Sequence, residues 1–142
     1  MSYLLDTCVI SELVSARPAP AVLEWIDSVE TTRLFLSALT IGEIKRGIVR
    51  LPASKRRSAL ESWLEQDLSL RFHGRILSLD VSVMLTWGQL VAELERKGRP
   101  LPAIDSLIAA TALHYQFQLV TRNEKDFANT GVNILNPWRE DS

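Results

Sequence analysis

The chain alternates short apolar runs with longer segments in which apolar residues recur at helical spacing. This spacing is clearest at Ile104, Leu107, Ile108 and Thr111, which stand at i, i+3, i+4 and i+7. Helical spacing predicts helices over residues 7–16, 21–29, 39–51, 54–70, 81–97 and 103–115. The short apolar runs predict strands over residues 3–5, 34–36, 75–79, 118–121 and 132–135.

The order of these elements indicates one α/β domain. Because strands alternate with helices and are apolar on both faces, we expect a three-layer sandwich with a central, mostly parallel sheet flanked by helices. The length of 142 residues suits a single domain, and no internal repeat or Ser- or Gly-rich linker divides it. We expect the domain to span residues 1–138 and a short tail to follow at 139–142.

Composition limits the classes of protein that fit. The 16 Lys and Arg residues nearly balance 17 Asp and Glu residues, which argues against a generally basic nucleic-acid coat protein but not against a nuclease with local basic residues. The single cysteine, Cys8, excludes an intrachain disulfide framework. Its unpaired thiol fits a reducing cytosol. No charge-free stretch reaches the roughly 20 residues of a membrane span, so we expect a cytoplasmic protein.

Acidic and amide side chains follow the ends of several predicted strands or open the helices beyond them. Ligands of open α/β sheets bind outside the carboxyl ends of the strands. Four connections between a predicted strand and the next helix place oxygen-bearing side chains at that edge. The residues are Asp6, Glu43, Asp105, Asn123 and Asp126. Their joint position predicts a functional site.

Each of the first three acids also has a purely structural interpretation. Asp6 could cap a helix that starts at Thr7, a role worth about 1 kcal/mol. Glu43 could pair with Arg46 or Arg50 on a solvated helix face. Asp105 could complement the dipole of its helix.

Clustered carboxylates need a proton or a cation. Two carboxylates 4 Å apart repel by about 4 kcal/mol at an effective dielectric constant of 20. His73 and His114 show no spacing for a zinc site, and carboxylate oxygens without His or Cys select Mg²⁺ or Mn²⁺. A divalent cation held by carboxylates suits phosphoryl chemistry.

Four motifs in this chain resemble those of the PIN domain family. They are YLLDT at 3–7, SALTIGEI at 37–44, LPAIDSLIAAT at 101–111 and LVTRNEKDF at 119–127. More narrowly, they are similar to VapC-type ribonuclease toxins of bacterial toxin–antitoxin pairs. The closing ILNPW at 134–138 resembles the FitB-like branch of trafficking regulators.

The resemblance implies roles for individual residues. Asp6, Glu43 and Asp105 would be the acidic site that binds Mg²⁺. Asn123 takes the place of a frequent fourth acid and would be a neutral oxygen ligand or orient water, so a second metal is not assured. Asp126 would hold the loop or cap a short helix. The hydroxyls of Thr7 and Thr121 would orient carboxylates or water, with plain capping of the strand ends as an equal alternative.

The resemblance also implies an activity and partners. The reaction would be hydrolysis of a phosphodiester bond in a structured RNA, a transfer or ribosomal RNA. A cognate VapB-type antitoxin would inhibit the enzyme and carry it to operator DNA in a larger complex. A homodimer is expected.

The basic segment at residues 45–57 holds six Lys and Arg residues and no acid. A phosphate backbone would favour such a stripe beside an acidic pocket. Arg46 and Arg50 share the predicted helix of Glu43 and are the candidate RNA-binding residues. The Lys55–Arg57 end could equally be a solvated helix face, and the whole segment could instead receive an antitoxin tail.

Two other classes of function compete with the nuclease. One is a non-catalytic PIN-fold interaction module, which the intact acids at positions 6, 43 and 105 disfavour. The other is a phosphoaspartyl protein, either a receiver domain or a haloacid-dehalogenase-like phosphatase, because Asp6 follows the first strand. That phosphatase class expects a second Asp at position 8, where this chain has Cys8.

Overall fold

A five-stranded parallel sheet forms the centre of the molecule. The structure is a computed structural model that describes residues 1–139, so positions 140–142 of the expected tail lie outside it. The strands stand in the order β3-β2-β1-β4-β5, and each neighbouring pair is parallel. They are β1 (Tyr3–Leu5), β2 (Leu34–Ser37), β3 (Ile76–Leu77), β4 (Gln118–Val120) and β5 (Ile134–Leu135). The predicted α/β class is confirmed.

Helices follow the strands and cover both faces of the sheet. Several begin at a side-chain cap, as at Ser37 and Asp80, whose oxygens accept hydrogen bonds from Leu39 and Val83 backbone N–H groups. The helices are α1 (Thr7–Leu13), α2 (Pro20–Ser28), α3 (Ala38–Val49), α4 (Lys55–Ser62), α5 (Ser69–Arg71), α6 (Val81–Arg96), α7 (Ala103–Tyr115) and α8 (Glu124–Phe127). No helix within residues 1–139 has both the length and the apolarity to cross a membrane.

Two hydrophobic cores lie on opposite faces of the sheet. Leu5 belongs to the core that α1, α2 and α3 cover, whereas its neighbour Leu4 belongs to the core under α6 and α7. Successive side chains of a strand point to opposite faces, so adjacent leucines serve different layers. Both leucines are fully buried. The expected three-layer sandwich is therefore present.

Several predicted elements differ from those observed. The single helix predicted over 54–70 is divided, because a π-helical segment (Trp63–Leu68) separates α4 from α5. The strands predicted over 75–79 and 132–135 are shorter, and each keeps only two paired residues. The helix predicted over 7–16 ends at Leu13, and the four-residue α8 was not predicted. The ends of such short strands are set by hydrogen bonding to the adjacent strand, which the apolar pattern of the sequence does not show.

Candidate active site

Asp6 lies directly after the central strand β1 and is held at both carboxylate oxygens. Its backbone N–H donates to the Val120 carbonyl at 2.9 Å, which extends the pairing of β1 with β4. Oδ1 accepts from the Thr7 N–H at 2.8 Å, and Oδ2 accepts from the Thr121 hydroxyl at 2.8 Å. The side chain is only 6% exposed. Asp6 is therefore both the N-cap of α1 and a fixed carboxylate at the sheet edge.

Glu43 approaches the same edge from the second turn of α3. Its Oε1 accepts a 2.5 Å hydrogen bond from the Thr7 hydroxyl, which also lies 3.3 Å from the hydroxyl of buried Thr40. Among the ion pairs within residues 1–139, none joins Glu43 to Arg46 or Arg50. Glu43 therefore bonds to Thr7, the residue that follows Asp6, instead of forming the surface ion pair considered above.

Asp105 occupies the first turn of α7 and completes the convergence of acids. Burial raises the pKa of its carboxyl, and the negative charges of Asp6, Asp126 and Glu43 raise it further, in that order. Such influence requires the four groups to lie near one another. The side chain is half-buried, whereas the alanines one and two turns further on, Ala109 and Ala112, are core residues. These influences on the pKa of Asp105 are in line with the expectation that it shares one region with the other acids.

The charge of this acidic cluster (Asp6, Glu43, Asp105 and Asp126) is not balanced by basic side chains. Within residues 1–139, the ion pairs use Glu61, Glu65 and Glu124, and none of the four clustered acids takes part. Hard carboxylate oxygens with no opposing charge are the donor set that suits Mg²⁺ or Mn²⁺. Over the same residues, no three His, Cys, Asp or Glu side chains stand close enough to form a ready-made ligand set. The donor chemistry of these carboxylates nevertheless fits a divalent cation.

The loop after β4 supports the cluster through Thr121. This buried hydroxyl donates to Asp6 and accepts a 3.0 Å hydrogen bond from the Asn123 backbone N–H. Asn123 precedes α8, and Asp126 lies in that helix. The Asn123 side chain is exposed, so its predicted part in the site remains a prediction.

Cys8 contributes an additional contact to Asp6. Its Sγ lies 3.8 Å from Asp6 Oδ2 and 3.7 Å from the Thr121 hydroxyl. Burial raises the pKa of the Cys8 thiol, and the neighbouring Asp6 charge raises it further. A thiol held in its neutral form is a packing group rather than a nucleophile, because the thiolate is the reactive species.

The basic segment divides into paired and unpaired residues. Lys45 pairs with Glu65 at 3.2 Å, and Arg57 pairs with Glu61 at 2.9 Å. Arg57 also donates to the Leu51 carbonyl, so its role is structural. Arg46 and Arg50 form no ion pair within residues 1–139. Arg46 lines an open cavity of about 340 Å³ together with Glu43, whereas Arg50 ends α3 on the surface.

Comparison with known proteins identifies the family. The sequence profile of the PIN domain matches residues 3–133, a span that contains every acid of the cluster. The chain belongs to the PIN domain family. This PIN domain is 38% identical over 135 residues to the VapC ribonuclease Y4jK of Sinorhizobium fredii, with 95% of this chain and 96% of that protein covered. It is 35% identical over 137 residues to toxin FitB of Neisseria gonorrhoeae, with 96% and 99% covered.

A solved structure shows the same PIN architecture. The complex FitAB bound to an IR36 DNA fragment contains a chain that matches this PIN domain with a TM-score of 0.91 and 34% identity, over 96% of each chain. The resemblance drawn from the four short motifs is confirmed at the level of family and fold.

Proposed function

We propose that this PIN domain is a Mg²⁺-dependent endoribonuclease and the toxin of a toxin–antitoxin pair. The observation that carries the proposal is the acidic cluster, in which burial and three neighbouring negative charges raise the pKa of Asp105. No basic side chain within residues 1–139 forms an ion pair with these acids. The relatives named above, a ribonuclease and a toxin, support the same assignment.

Asp6, Glu43 and Asp105 would hold the cation. A carboxylate can accept about four hydrogen bonds or metal contacts, so the two bonds that fix Asp6 leave positions for a ligand. When bound, Mg²⁺ supplies activation of the attacking water and stabilisation of the leaving oxygen. Mn²⁺ would serve in the same way.

The remaining chemistry belongs to the protein's own side chains. Glu43 and Asp105 would orient the attacking water or accept its proton, because both carboxylates belong to the cluster. Thr7 and Thr121 would keep Glu43 and Asp6 in fixed orientations through the hydrogen bonds described above. Arg46 and Arg50 would contact the RNA backbone, which for this toxin type would be that of a transfer or ribosomal RNA.

A cognate VapB-type antitoxin would inhibit the enzyme in the cytoplasm. A cavity of about 240 Å³ beside Thr7 and Glu43 is lined by apolar side chains that include Ile44, Ile48 and Trp63. An antitoxin segment with apolar anchors would fit this surface next to the acidic cluster. The FitAB complex bound to a DNA fragment supports a larger toxin–antitoxin assembly on operator DNA. We also expect the toxin to form a homodimer.

The test of this function is RNA cleavage by the purified protein with and without a divalent cation. We expect cleavage with Mg²⁺ or Mn²⁺, none in EDTA, and none for Asp105→Asn. Asp67→Asn, which changes an exposed acid outside the cluster, should retain activity. Undiminished cleavage in EDTA would contradict the metal mechanism. A wild-type protein that is inert with both cations and harmless in cells would instead be a non-catalytic interaction module.

A further inference from the structure

A second cavity, of about 470 Å³, lies beside the acidic cluster. The loop after β4, α8 and the turn that follows β5 form its walls. Asn123 and Asp126 line it, and the charge of Asp126 is one of those that raise the pKa of Asp105. The cavity therefore adjoins the proposed site of cleavage.

This cavity carries three basic side chains, two of which are uncommitted. Arg139 pairs with Glu124 at 2.9 Å, so its charge is already compensated. Arg122 and Lys125 make no side-chain hydrogen bond or ion pair to any residue within 1–139. These two cations outnumber Asp126, the one acid in the cavity that forms no ion pair within residues 1–139, so the concave polar surface suits an anion.

Trp138 supports one of these cations. The guanidinium carbon of Arg122 lies 5.4 Å from the centroid of the Trp138 ring, which itself packs against the core under α1 to α3. An arginine stacked on an aromatic ring keeps its N–H groups in the plane of the guanidinium, where they can contact a phosphate in bidentate fashion. Arg122 also directly follows Thr121, the residue that holds Asp6. The stacked arginine is therefore fixed near the catalytic carboxylate.

We propose that Arg122 and Lys125 form a phosphate-binding subsite for the RNA strand, adjacent to the phosphate that is cleaved, with Trp138 as the platform that positions Arg122. The assignment rests on the proposed ribonuclease activity, since it concerns the same substrate. Sequence reasoning placed RNA binding on Arg46 and Arg50 of α3. The subsite lies on the other side of the cluster, so an RNA strand that contacts both would cross the acids.

The subsite is tested by RNA binding in an Asp105→Asn background, which keeps the RNA intact. Binding of a single-stranded RNA oligonucleotide is measured by fluorescence anisotropy at several salt concentrations. We expect Arg122→Gln and Lys125→Gln each to weaken binding by about tenfold. Each should also lower the slope of log affinity against log salt by about 0.7, the value of one phosphate contact on a single strand. Arg122→Lys should retain only part of the affinity, because it keeps the positive charge but loses the planar guanidinium that binds a phosphate in bidentate fashion.

Arg33→Gln is the matched control. Arg33 also stacks on an aromatic ring, 5.3 Å from the centroid of Tyr3, but at the amino end of β1, away from the acids. Its loss should leave RNA affinity and the salt slope unchanged.

The outcomes separate the subsite from the activity itself. Wild-type affinity and slope in Arg122→Gln, while the unmodified enzyme cleaves RNA, would overturn the subsite alone. Weakened binding in Arg122→Gln, combined with an enzyme that fails to cleave RNA with Mg²⁺, would support the subsite and overturn the proposed reaction. No RNA binding by the parent protein would overturn the subsite.

Discussion

The Thr121 hydroxyl donates a 2.8 Å hydrogen bond to Asp6 Oδ2 across 115 positions of sequence. The contact joins the ends of β1 and β4, which are neighbours in the sheet. It is buried, so the carboxylate orientation is fixed by a donor that solvent does not replace. Asp6 is thus held by a residue that directly follows a neighbouring strand of the sheet.

Removal of this hydroxyl should impair both stability and cleavage. Thr121→Val leaves Asp6 Oδ2 without its donor, and we expect a loss of about 2 kcal/mol in the free energy of unfolding. Loss of such a supporting contact around a metal site typically lowers activity 10- to 100-fold. Chemical denaturation and RNA cleavage measure the two effects.

Thr130→Val is the control for this substitution. Thr130 is also a buried threonine, but its hydroxyl donates to the Phe127 carbonyl at 2.7 Å, outside the acidic cluster. It should lower stability by about 1 kcal/mol and leave the cleavage rate of the folded protein unchanged. Equal losses of activity in the two variants would mean that Thr121 acts only through overall stability.

The Thr7–Glu43 hydrogen bond predicts a different balance of effects. Thr7→Val keeps the backbone N–H that donates to Asp6 Oδ1 and removes only the hydroxyl that orients Glu43. We expect activity to fall about 10- to 100-fold with little change in melting temperature. Thr7→Ser, which retains a hydroxyl, should recover most of the activity. An active Thr7→Val enzyme would remove this contact from the mechanism.

The raised pKa of Asp105 predicts a stability cost in the metal-free protein. The folded state binds the Asp105 proton more tightly than the unfolded chain, whose carboxyl pKa is near 3.8. Protonation of Asp105 therefore stabilises the fold fully at pH values below the pKa that this carboxyl has in the unfolded chain. The stabilisation is lost as the pH rises through the pKa that it has in the folded protein. Asp105→Asn removes the buried charge, so it should melt at a higher temperature than wild type at pH 7.

The pH series provides the check on this prediction. The advantage of Asp105→Asn should shrink as the pH falls through the folded-state pKa of Asp105 toward 3.8, because wild-type Asp105 becomes protonated. Asp67→Asn, at an exposed position, should track wild type at each pH. An advantage that grows on acidification would contradict the assigned direction of the shift.

The sequence predicted which residues would lie at the sheet edge because local signals place them there. Asp6 follows an apolar run and precedes a helix, so its position at the end of β1 needed no knowledge of the strand order. Asp105 followed from the helical periodicity of α7, whose predicted bounds match those observed. The resemblance to PIN motifs then indicated which of these polar residues belong to the acidic site.

Contacts between distant segments were beyond sequence reasoning. The Thr7–Glu43 bond spans 36 positions and depends on β1 and β2 being neighbours. The stacking of Arg122 on Trp138 brings the turn after β5 to the loop after β4, an arrangement that no periodicity reports.

The most direct test of the acidic cluster is a calorimetric titration of Mn²⁺ into metal-free protein. Wild type and Asp67→Asn should bind the cation, because both retain the carboxylates that converge at the ends of β1, α3 and α7. Asp6→Asn and Asp105→Asn should lose most of that affinity while remaining folded. Equal Mn²⁺ affinity in all four proteins, or no binding by wild type, would contradict the assignment of the cluster as the catalytic metal site.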